Sequence, residues 1–257
     1  MAKPLQLLLS SDKNGDLIEN FIHHIYSQWV DAGDFVIDGG SADGRHTLPL
    51  SHLVGPSGIV LSVEPLFSII YKHRAWANNY QSDCVIIKEV ALSDYVGTST
   101  FNCIRNNPGY SGLKQGYWAS DAVEDKVSVN VFTIDELMKS FHAETADRTL
   151  TFIKLDLEGG EYNALMGGLN TLKKFKPLII FEHARNAAPV NYGYHPNQLF
   201  NMAKITGYSV FDVIGGEYFL PEEFSDNTPG YLALVPNTEQ DKFRFRNIIK
   251  SLDKFLI

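Results

Sequence analysis

Two groups of residues in this 257-residue chain have the types and spacing to do chemistry. The first is acidic. Lys154, Asp156 and Glu158 alternate at the end of one apolar run, and Glu182 and His183 end another. A carboxylate or an imidazole at such a place can take a proton from a hydroxyl, whose own pKa lies far above neutrality. Oxygen ligands with one imidazole also suit a divalent cation such as magnesium or manganese, which would activate the hydroxyl instead. Asp156, Glu182 and His183 are therefore candidate catalytic residues and candidate metal ligands. Lys154 is placed to neutralise carboxylates that are costly to bury unpaired. The second group is the turn Asp38-Gly39-Gly40-Ser41-Ala42-Asp43-Gly44, followed by Glu64 and Pro65. Glycines let the backbone turn tightly and approach a ligand, and a following helix offers free N–H groups there. An acidic residue about 20 residues further on can accept both hydroxyls of a ribose.

These residues need a scaffold that gathers strand ends. Residues 16–30 carry apolar side chains at helical spacing. Short apolar runs at 35–38, 59–64 and 84–90 read as buried strands, with helices at 45–54 and 66–79 between them. That alternation builds right-handed crossovers and a parallel sheet. Residues 98–104 and 126–132 alternate apolar and polar side chains and read as extra strands. Between them, 105–124 is an irregular segment containing Tyr110, Tyr117 and Trp118. It reads as a mobile aromatic lid bordering an acceptor pocket or as a packed surface loop. The α/β pattern then resumes with a strand at 149–157, a helix at 161–174, a strand at 177–182, a helix at 197–206 and strands at 208–213 and 230–235. A C-terminal helix buries Phe245, Ile248, Ile249, Leu252 and Leu256. The spacing predicts one α/β domain over residues 1–257, a Rossmann-like, doubly wound, mostly parallel seven-stranded sheet. An N-terminal helix (about 16–30) precedes it, and an inserted region (about 97–132) lies near the active site.

Bulk properties narrow the partners. A composition of 44% hydrophobic and 20% charged residues is that of a globular protein, and this length can bury one large core. A net charge of −8 argues against a nucleic-acid backbone as partner. The leucines at 7–9 form too short a run for a signal-peptide core, and no stretch approaches membrane-spanning length. The expectation is a cytoplasmic protein without a membrane partner. Cys84 and Cys103 show neither metal nor redox spacing and fit reduced thiols. Nothing in the sequence fixes an oligomeric state.

The motifs together carry a resemblance. Ile37-Asp38-Gly39-Gly40-Ser41-Ala42-Asp43-Gly44, Val63-Glu64-Pro65, Ala91-Leu92-Ser93-Asp94, Ile153-Lys154-Leu155-Asp156-Leu157-Glu158-Gly159-Gly160-Glu161 with Gly167-Gly168, and Pro177-Leu178-Ile179-Ile180-Phe181-Glu182 occur in this order. The set resembles the FkbM family of S-adenosylmethionine-dependent methyltransferases, over about 34–183 and more weakly to 235. The resemblance implies a sheet whose last strand is antiparallel. It implies S-adenosylmethionine as cofactor, held by Asp38, Gly40, Ser41, Gly44, Glu64, Pro65, Ser93 and Asp94, with Asp38 facing the ammonium of the methionine part. It also implies methyl transfer to the hydroxyl of a small molecule or sugar. Two departures stand out. Ala42 occupies a place where the family usually carries Asn, and Pro49 falls in an expected helix, tolerable only in its first turn. Ser93 and Asp94 also suit a plain turn, and Glu161 a helix N-terminus. Two other readings remain: a nicotinamide-dependent oxidoreductase, against which the glycine spacing speaks because it is not G-x-G-x-x-G, and a cofactor-binding module without catalysis.

Overall fold

A strand that is apolar on both sides must be covered on both faces. In the computed structural model, which describes residues 15–66, 83–114, 121–141, 148–183, 192–224 and 228–252, β1 (Phe35–Gly39) and β2 (Ile59–Val63) are buried at every position. They pair in parallel, with Asp38 opposite Ser62, and β3 (Val85–Lys88) extends the sheet beside β2. After them come β4 (Ala91–Leu92), β5 (Gly97–Ile104), β6 (Glu124–Phe132), β7 (Leu150–Leu155), β8 (Leu178–Glu182), β9 (Tyr208–Asp212), β10 (Glu217–Tyr218) and β11 (Tyr231–Pro236). The main sheet runs β10-β9-β11-β8-β7-β1-β2-β3. On the other side of β1, β7 and β8 continue the parallel set, and β11 enters antiparallel between β8 and β9. The sheet has eight strands rather than the expected seven. Asp212 accepts from the amides of Ile214 and Gly216 and from Tyr218 Oη, folding the chain back so that β10 adds a short antiparallel edge.

Helices cover both faces. On one lie α1 (Gly15–Trp29), α2 (Thr47–Val54) and α7 (Glu239–Ser251); on the other lie α3 (Ile134–Ser140), α4 (Glu161–Met166), α5 (Leu169–Phe175) and α6 (Pro196–Thr206). The first set buries Phe21, Ile25, Leu50 and Phe245 against Val36, Phe152 and Ile180. The second buries Leu137, Leu165, Leu172 and Leu199 against Ile37, Ile153 and Phe181. Neighbouring strand residues fall in different cores because side chains alternate between faces.

Local chemistry explains the ends of these helices. The expected single helix at 161–174 is broken in two at Gly167 and Gly168. A Cβ at Gly167 would lie 2.1 Å from the carbonyl oxygen of Ser93, and one at Gly168 would lie 3.1 Å from Ile134 Cβ. Close packing against the chain after β4 and against α3 takes the place of continuous helix. Pro49 lies in the first turn of α2, where a missing N–H leaves no helix bond unmade. Thr133 caps α3, its hydroxyl accepting from the amide of Glu136. The inserted region is a second sheet, ordered β4-β6-β5, in which β5 and β6 form an antiparallel pair. The helix expected at 66–79 lies outside the described residues beyond Leu66. Among the described residues no helix is long and apolar enough to cross a membrane, and Cys84 and Cys103 are buried and not joined in a disulfide.

Candidate active site

Strand order reverses around β1, and ligands of such sheets bind at the carboxyl ends of the strands beside that point. A cavity of about 800 Å³ opens there, lined by residues that follow β1, β2, β7 and β8. That volume lies within the range of about 300–1,000 Å³ typical of small-molecule sites. The glycine turn after β1 forms one wall. Gly40, Ala42 and Gly44 all have positive φ, at 70°, 46° and 89°. A Cβ at Gly40 would lie 1.7 Å from the carbonyl oxygen of Asp156. The absence of a side chain there lets the turn and the end of β7 meet backbone to backbone. Ala42 adopts the left-handed region that glycine and asparagine visit most readily, which gives the Asn of the resembling motif a conformational meaning.

Glu64 stands at the end of β2, on the cavity wall and only 8% exposed. Its carboxylate accepts from the amides of Ala42 at 3.1 Å and Leu66 at 2.9 Å. Burial pushes its pKa up to about 7, against the pull of those two amides. Pro65 adjoins it on the wall, and Val90, Ala91 and Leu92 supply an apolar strip beyond. The other expected cofactor residues stand behind this wall. Asp38 is fully buried, with Oδ2 accepting from Thr47 Oγ1 at 2.6 Å. Ser41 accepts from Ser62 Oγ at 2.7 Å, and the Gly44 amide closes the turn onto the Ser41 carbonyl. Ser93 donates to Asp94, which also accepts from Asn163, and neither lines the cavity.

The acidic group assembles on the wall of the same cavity. Asp156, Glu158 and Glu182 line it and offer carboxylate oxygens within 4.8 Å of one another. Lys154 Nζ lies 3.2 Å from Asp156 Oδ2, and Tyr231 Oη donates to the same oxygen at 3.0 Å. Burial alone would raise the pKa of Asp156, but the Lys154 ammonium and hydrogen bonds from Lys154, Tyr231 and Glu182 hold it below its ordinary value. Burial and the neighbouring carboxylates push Glu182 well above the usual range, and they push Glu158 up to about 9. The shifts thus favour an ionised Asp156 beside the ammonium and disfavour ionisation of Glu158 and Glu182. Glu161 is tied back to the amides of Leu157 and Gly159 at the start of α4.

His183 does not join them. In β8 it shares the face of Phe181, whereas Glu182 shares that of Ile180 and, through the register with β7, that of Lys154 and Asp156. The imidazole is 2% exposed, its ring 5.2 Å from that of Phe224, and burial pushes its pKa down to about 4. The expectation that two consecutive residues would both reach the site overlooked the alternation of a strand. The cavity wall therefore offers a cation three carboxylates and no imidazole.

Other wall residues come from places the motifs do not cover. Tyr231 is brought beside Glu182 by the antiparallel register of β11. Tyr192 precedes α6, and Ile18 and Glu19 belong to α1. The stretch 107–111, with Tyr110 half exposed, borders the cavity as the lid reading requires; Tyr117 and Trp118 lie outside the described residues. Only the two tyrosines that end or precede regular elements carried a signal, an aromatic residue at a strand or helix boundary, and it was too common to single out.

Comparison with known proteins follows this geometry. The methyltransferase FkbM domain matches residues 38–204. Among solved structures, a methyltransferase FkbM from Methylobacillus flagellatus KT is 16% identical, with 78% of this chain and 43% of that one covered and a TM-score of 0.46. This chain thus spans less than half of that protein. A putative rRNA-methylase from Clostridium thermocellum is 10% identical over 84% of this chain and 92% of its own, with a TM-score of 0.48. Fibrillarin from Aeropyrum pernix, in complex with S-adenosyl-L-methionine, is 8% identical over 84% and 74%, with a TM-score of 0.43. No curated protein matches the sequence significantly. The domain match takes in more than half of the 257 residues and every motif from Asp38 to Glu182, and the chain belongs to the FkbM methyltransferase family.

Proposed function

We propose that this methyltransferase uses S-adenosylmethionine to methylate a hydroxyl on a small molecule or sugar. The observation that carries the reading is one cavity walled both by Glu64 and by the Asp156, Glu158 and Glu182 cluster. The residues fit the cofactor. Glu64 is a buried acceptor whose raised pKa would fall on meeting two hydroxyl donors. Gly40 and Ala42 bring backbone to the wall, and Val90 to Leu92 offer an apolar seat for a flat ring. When bound, the cofactor supplies a methyl on a positively charged sulfur, which a hydroxyl oxygen displaces as the carbon–sulfur bond breaks and a neutral thioether remains.

The protein's own contribution is alignment and proton removal. Asp156, fixed by Lys154 and Tyr231, is the hydrogen-bond acceptor that orients the hydroxyl and receives its proton. Protonated Glu182 and Glu158 donate to neighbouring oxygens of the acceptor, which suits a polyhydroxylated molecule. Tyr110 and the stretch 107–111 cover the cavity and limit water. Lys154 sets an ammonium 3.2 Å from Asp156, a positive charge of the protein's own beside the carboxylates. Turnover of a hydroxyl acceptor should therefore survive chelation of divalent metals and fall on the order of a hundredfold in Asp156→Asn. Loss of activity on chelation, restored by magnesium or manganese, would instead assign the three carboxylates to a metal.

A further inference from the structure

Helix α1 lies outside the stretch that matches the family, yet it helps to build the cavity. Glu19 stands on the wall, its side chain 16% exposed, and Oε2 lies 2.6 Å from Nε2 of His46 at the start of α2. Among the described residues this is its one hydrogen bond. His46 is itself buried, and its Nδ1 lies 3.3 Å from the hydroxyl of Tyr26, two turns further along α1. Glu19 is thus clamped through one oxygen, against the N-cap residue of α2, two positions after the glycine turn. Burial would raise its pKa, but the bond to His46 and the charges of His46 and Lys154 hold it down, so it is ionised. Its charge is felt by Lys154 and Tyr231, and it feels that of Asp156 in turn, so it shares a charged neighbourhood with the acidic cluster.

The resembling motif gives the cofactor's ammonium to Asp38, but here Asp38 does not reach the cavity. It is fully buried and absent from the cavity wall, with Oδ2 bonded to Thr47 and Oδ1 without a hydrogen-bond partner among the described residues. Resting on the cofactor reading above, we infer that Glu19, and not Asp38, receives the α-ammonium group at the amino-acid end of S-adenosylmethionine. Three features support this. Glu19 is an ionised acceptor on the wall, it is held rigid by His46, and it lies next to the turn along which the amino-acid chain must run if the ribose is at Glu64.

Calorimetric titration of the full chain with three thioethers tests the assignment. S-adenosylhomocysteine carries the ammonium, its desamino analogue lacks only that group, and methylthioadenosine lacks the whole amino-acid end. Wild type should prefer S-adenosylhomocysteine to the desamino analogue by tenfold or more. Glu19→Gln keeps an oxygen for His46 but removes the charge; it should lose most of that preference while binding methylthioadenosine within twofold of wild type. An undiminished preference in Glu19→Gln, or equal weakening towards all three ligands, would overturn the inference while leaving the cofactor reading intact. Failure of wild type to bind any of them would overturn both. The wild-type preference is read without any substitution, so a variant that fails to fold does not shelter the idea.

Discussion

Ala42 and Glu64 show how single residues set the site. Ala42 holds a φ of 46° in the middle of the glycine turn, where an L side chain costs roughly 1–2 kcal/mol. Ala42→Gly should therefore stabilise the protein by about 0.5–1 kcal/mol after the greater freedom of glycine in the unfolded chain is counted; an unchanged or lower denaturation midpoint would show that the turn is not strained. Glu64 makes ligand binding depend on pH. Burial raises its pKa from 4.5 to about 7 in the free protein. A carboxyl raised on folding favours the folded state fully below its unfolded pKa, and that contribution is lost as pH rises through about 7. Hydroxyl donors from a ribose prefer the carboxylate, so binding works in the opposite sense and tightens as pH climbs to that value. The dissociation constant for S-adenosylhomocysteine should fall about tenfold per unit below pH 7 and level off above it, and Glu64→Gln should abolish the slope. A flat profile in wild type would take Glu64 out of the ribose subsite.

At the scale of elements, strand ends are legible in the sequence, while the face each end residue takes follows from strand alternation. The runs ending at Asp38, Glu64, Asp156 and Glu182 became strands with their acidic residues at one sheet edge, because period-2 burial and terminal polarity are local signals. The same alternation sends His183 to the apolar side with Phe181 and Phe224, and respecting it would have separated Glu182 from His183 in the sequence. The break between α4 and α5 was less accessible, since it depends on how closely Ser93 approaches Gly167, residues far apart in the chain. Gly167→Ala tests that contact. Its φ of −72° suits any residue, so the penalty is steric, chiefly the overlap of the new Cβ with the Ser93 carbonyl and secondarily its approach to Thr133 Cβ. A loss of about 1–3 kcal/mol is expected, read as a lower melting temperature; a neutral outcome would mean the two chains are not in contact.

On the scale of the whole molecule, the site is a meeting of distant pieces. Residues from α1, the glycine turn, β2, β7, β8, β11 and the inserted region all wall one cavity. The motifs picked out the glycine turn with Glu64 and the acidic cluster from short stretches. Glu19 and Tyr231 could not be read in the same way, because only the packing of α1 against the sheet and the antiparallel entry of β11 bring them there. The central claim is that this assembled cavity is a cofactor site of the S-adenosylmethionine type, and calorimetric titration with S-adenosylhomocysteine, alongside a nicotinamide dinucleotide, tests it most directly. One molecule of S-adenosylhomocysteine should bind per chain, Glu64→Gln should weaken it by roughly ten- to a hundredfold, in keeping with the loss of hydrogen bonds to a charged group, and the dinucleotide should not compete. Tight binding of the dinucleotide with none of S-adenosylhomocysteine would contradict the account.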